Sequence, residues 1–140
     1  QPIRVVLDSK GSIPAGSRVL DGTARTLVFV TEGHEKAMDG AKVISCGKDT
    51  IDLPALIKIL EKDGVKTLLV EGGGRTIWTF VKAGLVNEFK VFISSKLIGG
   101  SVAPTPMDGE GFGDEKEFAE LKLMKTTMSD SGVLLEFEVE

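Results

Sequence analysis

Hydrophobic residues along this chain fall into short runs whose spacing changes from one region to the next. Four runs of apolar, largely β-branched residues read as buried strands: Ile3–Leu7, Leu27–Val30, Val43–Ser45 and Leu68–Val70. Between the last two, Leu53, Leu56, Ile57 and Leu60 recur at helical spacing. Asp52 stands where an N-cap belongs, Pro54 falls in the first turn and Gly64 follows as the stop, so a helix is predicted there. A strand, a crossover helix and a second strand of these lengths predict a parallel, right-handed βαβ unit.

Beyond Leu68–Val70 the pattern predicts a second helix, starting within Gly73–Arg75 and running to Lys82, with Gly84 as its terminator. Ile77, Trp78, Phe80 and Val81 give that helix a broad apolar face. Phe89–Ile93 is the next strand, and Gly99–Gly113 is a glycine- and proline-containing loop. Two further strands, Leu121–Thr127 and Val133–Val139, are joined through Ser129-Asp130-Ser131-Gly132. In the last of them Val133, Leu135, Phe137 and Val139 alternate with Leu134, Glu136, Glu138 and Glu140, the pattern of an antiparallel hairpin with one wet face. The fold class expected is α/β, with a parallel front and an antiparallel C-terminal edge.

Composition narrows the chemistry. The chain has 140 residues, a formal net charge of −4 and a pI near 5.1, which argues against a broad nucleic-acid surface. No apolar run approaches the roughly 20 residues of a membrane span, so no membrane partner is expected. A single cysteine, Cys46, rules out an internal disulfide, and with one histidine, His34, it makes a zinc site of the usual kind improbable. Neither Cys46 nor His34 forms a persuasive nucleophile–base pair; His34 sits in a charged stretch and reads as a surface residue. The chain begins Gln1-Pro2-Ile3, without Met and with a strand almost at once, the start expected of a processed chain or a piece of a longer one.

The strongest chemical signal is Leu68-Leu69-Val70-Glu71-Gly72-Gly73-Gly74-Arg75-Thr76, an apolar run leading through three glycines into a helix. Glycines admit close backbone approach and positive φ, and a helix N-terminus offers unpaired N–H groups and positive potential. Phosphate or pyrophosphate suits such a place, and Arg75 and Thr76 would add a charge and a hydroxyl; a plain strand-to-helix turn is the alternative. The run matches neither G-x-G-x-x-G nor G-x-x-x-x-G-K-[ST]. Ligands of open α/β sheets sit beyond the carboxyl ends of the strands, which adds Asp8-Ser9-Lys10-Gly11-Ser12 and Cys46-Gly47-Lys48. Ser9, Lys10 and Ser12 could hold a second phosphate, such as the 2′-phosphate that separates NADP from NAD; a solvated hydrophilic loop is the other reading. A site of glycines, hydroxyls and one carboxylate fits hydride transfer, where a cofactor carries the chemistry.

Several segments together resemble the pyrimidine reductases of riboflavin biosynthesis. They are Ile3-Arg4-Val5-Val6-Leu7-Asp8-Ser9-Lys10 with Ile13-Pro14, Val70–Gly74, Gly84-Leu85-Val86-Asn87-Glu88, Lys96-Leu97-Ile98-Gly99-Gly100 and Asp108-Gly109-Glu110-Gly111-Phe112. The chain is most similar to the 2,5-diamino-6-ribosylamino-4(3H)-pyrimidinone 5′-phosphate reductases, over its whole length. The resemblance implies a dihydrofolate-reductase-like mixed sheet with flanking helices, a cytoplasmic homodimer, and NADPH reduction of a phosphorylated ribosylamino-pyrimidine to the ribitylamino product. It implies that Ser9 meets the adenosine end of NADPH, that Gly73, Gly74, Arg75 and Thr76 bind its phosphates, and that Glu71 faces substrate; the strand-end and glycine-run readings add Lys10, Gly47 and Gly72 to the expected cofactor site. It assigns no catalytic residue and no metal. By analogy with dihydrofolate reductases the Gly72–Gly73 peptide is expected to be cis. Family members carry a further N-terminal stretch, with Asp-Gly-Lys and Gly-x-Gly-Thr motifs, that nothing here matches. Residues 1–140 are accordingly expected to be the C-terminal portion of a single reductase domain, with an incomplete sheet and an exposed apolar edge that favours association. A non-catalytic phosphate-binding module, a fragment without ligand affinity, or a reductase of another pterin- or pyrimidine-like substrate remain alternatives.

Overall fold

The computed structural model describes residues 1–140 and divides into two compact units, Gln1–Leu68 and Leu69–Glu140. Both parallel and antiparallel strands are present, each kind in its own sheet.

In the first unit β1 (Arg4–Leu7), β2 (Thr26–Val30) and β3 (Lys42–Ser45) form a parallel sheet in that order. The central strand carries almost no polar atoms beyond its backbone and is buried on both faces, from Thr26 through Val30. One face receives α1 (Leu53–Lys62): Leu56 and Leu60 pack with Leu27, Phe29 and Cys46, and Ile3, Val5, Leu7 and Ile44 border them. The cap is as the sequence predicts. Asp52 accepts a hydrogen bond from the Ala55 N–H at 2.9 Å, and Pro54 lies in the first turn, where a missing N–H loses nothing.

The crossover ends differently from the sequence expectation. Leu68–Val70 is not a strand. Strand hydrogen bonds need a partner, and this segment pairs with no strand; β1 pairs with β2 alone, and Leu69 is 76% exposed. Apolar, β-branched character without a ladder partner is not sufficient for a strand.

In the second unit α2 (Gly74–Lys82) precedes an antiparallel sheet of β4 (Glu88–Ser94), β5 (Leu121–Ser129) and β6 (Gly132–Val139), ordered β4-β6-β5. Gly84, at φ +64°, ends the helix as its sequence position predicts. The β5–β6 hairpin forms as expected, with a bulge between Leu123 and Lys125. Glu136 of β6 lies between Lys90 at 3.0 Å and Lys125 at 3.5 Å, a cross-strand ladder on the polar face. Trp78 and Phe80 of α2 are buried. Val81, Phe89, Phe112, Phe118, Leu121 and Val139 help line an apolar cavity of about 270 Å³. No helix is long and apolar enough to cross a membrane.

Candidate functional site

At the carboxyl edge of the parallel sheet the three strand-end loops are laced together. After β1 the chain turns at Asp8–Gly11, closed by the Gly11 N–H donating to the Asp8 carbonyl at 2.9 Å. Asp8 also ties down its own loop, accepting from the Ser12 hydroxyl and the Ile13 N–H, each at 2.8 Å. Ser12, offered by the sequence as a phosphate ligand, thus has its hydroxyl directed at Asp8. Ser9 is half-buried and Lys10 exposed, and neither side chain is bonded within the protein. After β2, the Thr31 N–H donates to the Ser9 carbonyl at 3.0 Å and the Glu32 N–H to the Gly47 carbonyl at 2.9 Å. Ser9 and Gly47 therefore come to one edge, as the strand-end argument requires.

Gly47 has a local reason to be glycine. Its φ is +97°, and a Cβ there would overlap the Thr50 carbonyl. Cys46 beside it is buried, and burial pushes its thiol up, away from the thiolate a nucleophile needs.

In the second unit the Glu71–Thr76 turn feeds the N-terminus of α2, and its glycines have different surroundings. Gly72 has φ +142°, a region L side chains rarely enter. Gly74 is buried against Asp108, and a Cβ on it would overlap the Asp108 backbone and carboxylate. Gly73, which caps the helix in extended conformation at φ −72° and ψ 159°, has open space where its Cβ would be. The N–H groups of Gly74 and Arg75 bond to no carbonyl, while those of Thr76 and Ile77 turn to the Gly73 oxygen. Arg75 and Glu71 are exposed and pair with nothing. The Gly72–Gly73 peptide is trans, against the expectation by analogy; the structure has no cis peptide bond, and the trans form is the intrinsically favoured one between non-proline residues.

The sequence assigns Asp108 no role; the structure does. Its carboxylate stands at the first turn of α2, held by the Thr105 hydroxyl at 2.6 Å, where negative charge meets the positive end of the helix. Gly109 packs on the Trp78 ring, and Phe112 meets that ring edge-on at 4.7 Å between centroids. Gly109 within Asp108–Phe112, and Gly74, are the sequence signal for these two close contacts. His34 is exposed, as its charged surroundings predict, and it meets Thr31, to which the sequence assigns no role. Thr31 is 3% exposed, a polar residue closing an apolar strand, and its Oγ1 lies 3.1 Å from His34 Nδ1.

A parallel α/β sheet with polar strand-end loops, a glycine turn entering a helix and an antiparallel hairpin unit define the dihydrofolate-reductase-like class of α/β proteins. The fold agrees with that of Acinetobacter baumannii RibD, form 2, at a TM-score of 0.81 and 22% identity, covering 98% of this chain and 37% of that one. The chain belongs to the family described as the RibD C-terminal domain, whose model matches residues 1–135. It is 37% identical over 134 residues to the riboflavin biosynthesis protein RibD of Bacillus amyloliquefaciens, covering 91% of this chain and 36% of that protein. It is 39% identical over 116 residues to the 2,5-diamino-6-ribosylamino-4(3H)-pyrimidinone 5′-phosphate reductase of Archaeoglobus fulgidus, covering 79% of this chain and 53% of that protein. The chain thus spans about a third to a half of the length of these relatives.

Proposed function

We propose that the chain is the C-terminal portion of the reductase domain of a riboflavin-biosynthesis enzyme, reducing the ribosylamino group of 2,5-diamino-6-ribosylamino-4(3H)-pyrimidinone 5′-phosphate to ribitylamino. The family and the identity to a reductase so named support the substrate class. In this reading NADPH, when bound, supplies the hydride. The sugar ring opens as its C1′–O4′ bond breaks, the amine nitrogen losing its proton and O4′ gaining one, so that a C1′=N imine and a free hydroxyl form; C1′ would then take the hydride and nitrogen a proton from solvent. The active enzyme is a cytoplasmic homodimer.

The observation that carries the cofactor part is Gly73. Gly72 is explained by its φ and Gly74 by Asp108, but nothing in the protein requires glycine at 73. An open α-carbon beside two N–H groups that bond to no carbonyl lets a phosphate approach the backbone, with the unpaired Arg75 cation beside it to offset the Asp108 carboxylate at the same helix end. Gly73, Gly74, Arg75 and Thr76 would hold the diphosphate, with Gly72 making the turn. Ser9 and Lys10 would hold the adenosine end, with Gly47 shaping that edge, and Glu71 would face the substrate.

The test is titration with NADPH, in the protein and in Gly73→Val. A Cβ at this position meets no neighbour, so the substitution should cost no more than a poorer N-cap, about 1 kcal/mol, and leave the chain folded, while NADPH affinity falls by about tenfold or more, as an obstructed backbone contact would give. Unchanged affinity would take the glycine turn out of the site. Turnover of the ribosylamino substrate with NADPH oxidation tests the chemistry, and Glu71→Gln should lower that turnover while leaving NADPH affinity alone.

A further inference from the structure

The Ser9–Lys10 peptide is the central peptide of the turn that follows β1, and it is held from one side only. Thr31 donates to the Ser9 carbonyl twice, from its N–H at 3.0 Å and from Oγ1 at 2.7 Å. A hydroxyl has a single proton. With that proton on the Ser9 carbonyl, the 3.1 Å contact between Thr31 Oγ1 and His34 Nδ1 has the ring N–H as donor. Turning the hydroxyl proton toward the ring would forfeit the Ser9 bond, and at 3% exposure Thr31 has little access to water as a replacement.

Holding that carbonyl fixes the whole peptide plane. In a trans peptide the N–H of the next residue points opposite to the carbonyl, so the Lys10 N–H is turned away from β2. It bonds to nothing in the protein, and the Ser9 hydroxyl and Lys10 ammonium are also unengaged. Three donors, one of them cationic, thus share one short turn whose orientation Thr31 sets.

We propose that Thr31, braced by His34, is a positioning residue that aims the Ser9–Lys10 turn at the 2′-phosphate of NADPH and thereby sets the preference for NADPH over NADH. The proposal rests on the NADPH reading above. Thr31 itself touches no cofactor; it acts through the turn.

The experiment compares NADPH, NADH and the fragment 2′,5′-ADP as ligands of the protein and of Thr31→Val, Thr31→Ser and His34→Ala, with melting temperatures recorded alongside. Thr31→Val keeps the shape and removes the hydroxyl, so NADPH and 2′,5′-ADP should weaken by about tenfold and NADH by less than about twofold. Thr31→Ser restores the hydroxyl and should return NADPH to within about threefold of the parent, and His34→Ala should weaken NADPH alone by about threefold. A merely structural Thr31 would weaken both nucleotides equally, and that result, or an unchanged NADPH:NADH ratio in folded Thr31→Val, overturns the proposal. Should Thr31→Val fail to fold, an unaltered ratio in His34→Ala does the same. If the unsubstituted protein binds neither nucleotide, the NADPH reading falls and the proposal falls with it. Binding of both without the Thr31 effect removes the proposal alone.

Discussion

Gly73 and Gly74 are adjacent in the chain, yet one faces open space and the other faces Asp108. Their substitutions should therefore separate. Gly74→Ala forces a methyl into the Asp108 backbone and should lower stability by about 1–3 kcal/mol, read by urea unfolding. Gly73→Val should cost at most a poorer N-cap, about 1 kcal/mol, and act mainly on ligand affinity. A stable Gly74→Ala would show that the Asp108 loop yields easily and that the contact is not restrictive. The sequence shows three like residues here, and only their neighbours distinguish them. His34 makes the same point: its exposure was legible from its charged surroundings, whereas its bond to Thr31, closing a buried strand, was not.

Local signals define the helices well because their determinants lie within a few residues. The Asp52 cap, Pro54 and the Leu53–Leu60 spacing set α1, and Asp52→Ala should cost about 1 kcal/mol of stability by loss of the Ala55 bond, again read by urea unfolding. Strands depend on distant partners, which is why Leu68–Val70 carries strand composition and forms no strand, while Val133–Val139 finds β4 and β5. The β4–β6–β5 sheet has its own pH signature. Hydrogen bonding from Lys90, with Lys125 adding positive charge, holds the Glu136 carboxyl below the usual carboxylate range. A depressed folded pKa means that the contribution is present above the unfolded value and lost as pH falls through the folded one. Melting temperature should fall through that acid window, and the fall should be shallower in Glu136→Gln; identical profiles would show the ladder to be energetically silent, as exposed pairs often are.

Each of the two units has a core that packing, not composition, assembles: Leu27, Phe29, Leu56 and Leu60 in one, Trp78 and Phe80 in the other. The second unit also presents large apolar side chains to solvent, among them Leu97, Ile98 and Met128, the kind of surface that promotes association. Replacing Leu97 and Met128 by Lys should shift sedimentation toward the monomer, in keeping with the homodimer proposed; an unchanged distribution would place the association surface elsewhere. The sequence alone determined the α/β class, both helices, the Asp52 cap and the Gly84 terminator, the C-terminal hairpin and the glycine turn, since each rests on periodicity or on backbone preferences within one short segment. Tertiary structure decided which glycine is free, that Asp108 stands at α2, that Thr31 and His34 fix Ser9, and that Leu68–Val70 stays outside the sheet. Those facts depend on which residues far apart in the chain become neighbours, and close packing and hydrogen-bond partnership are properties of pairs that no single segment contains.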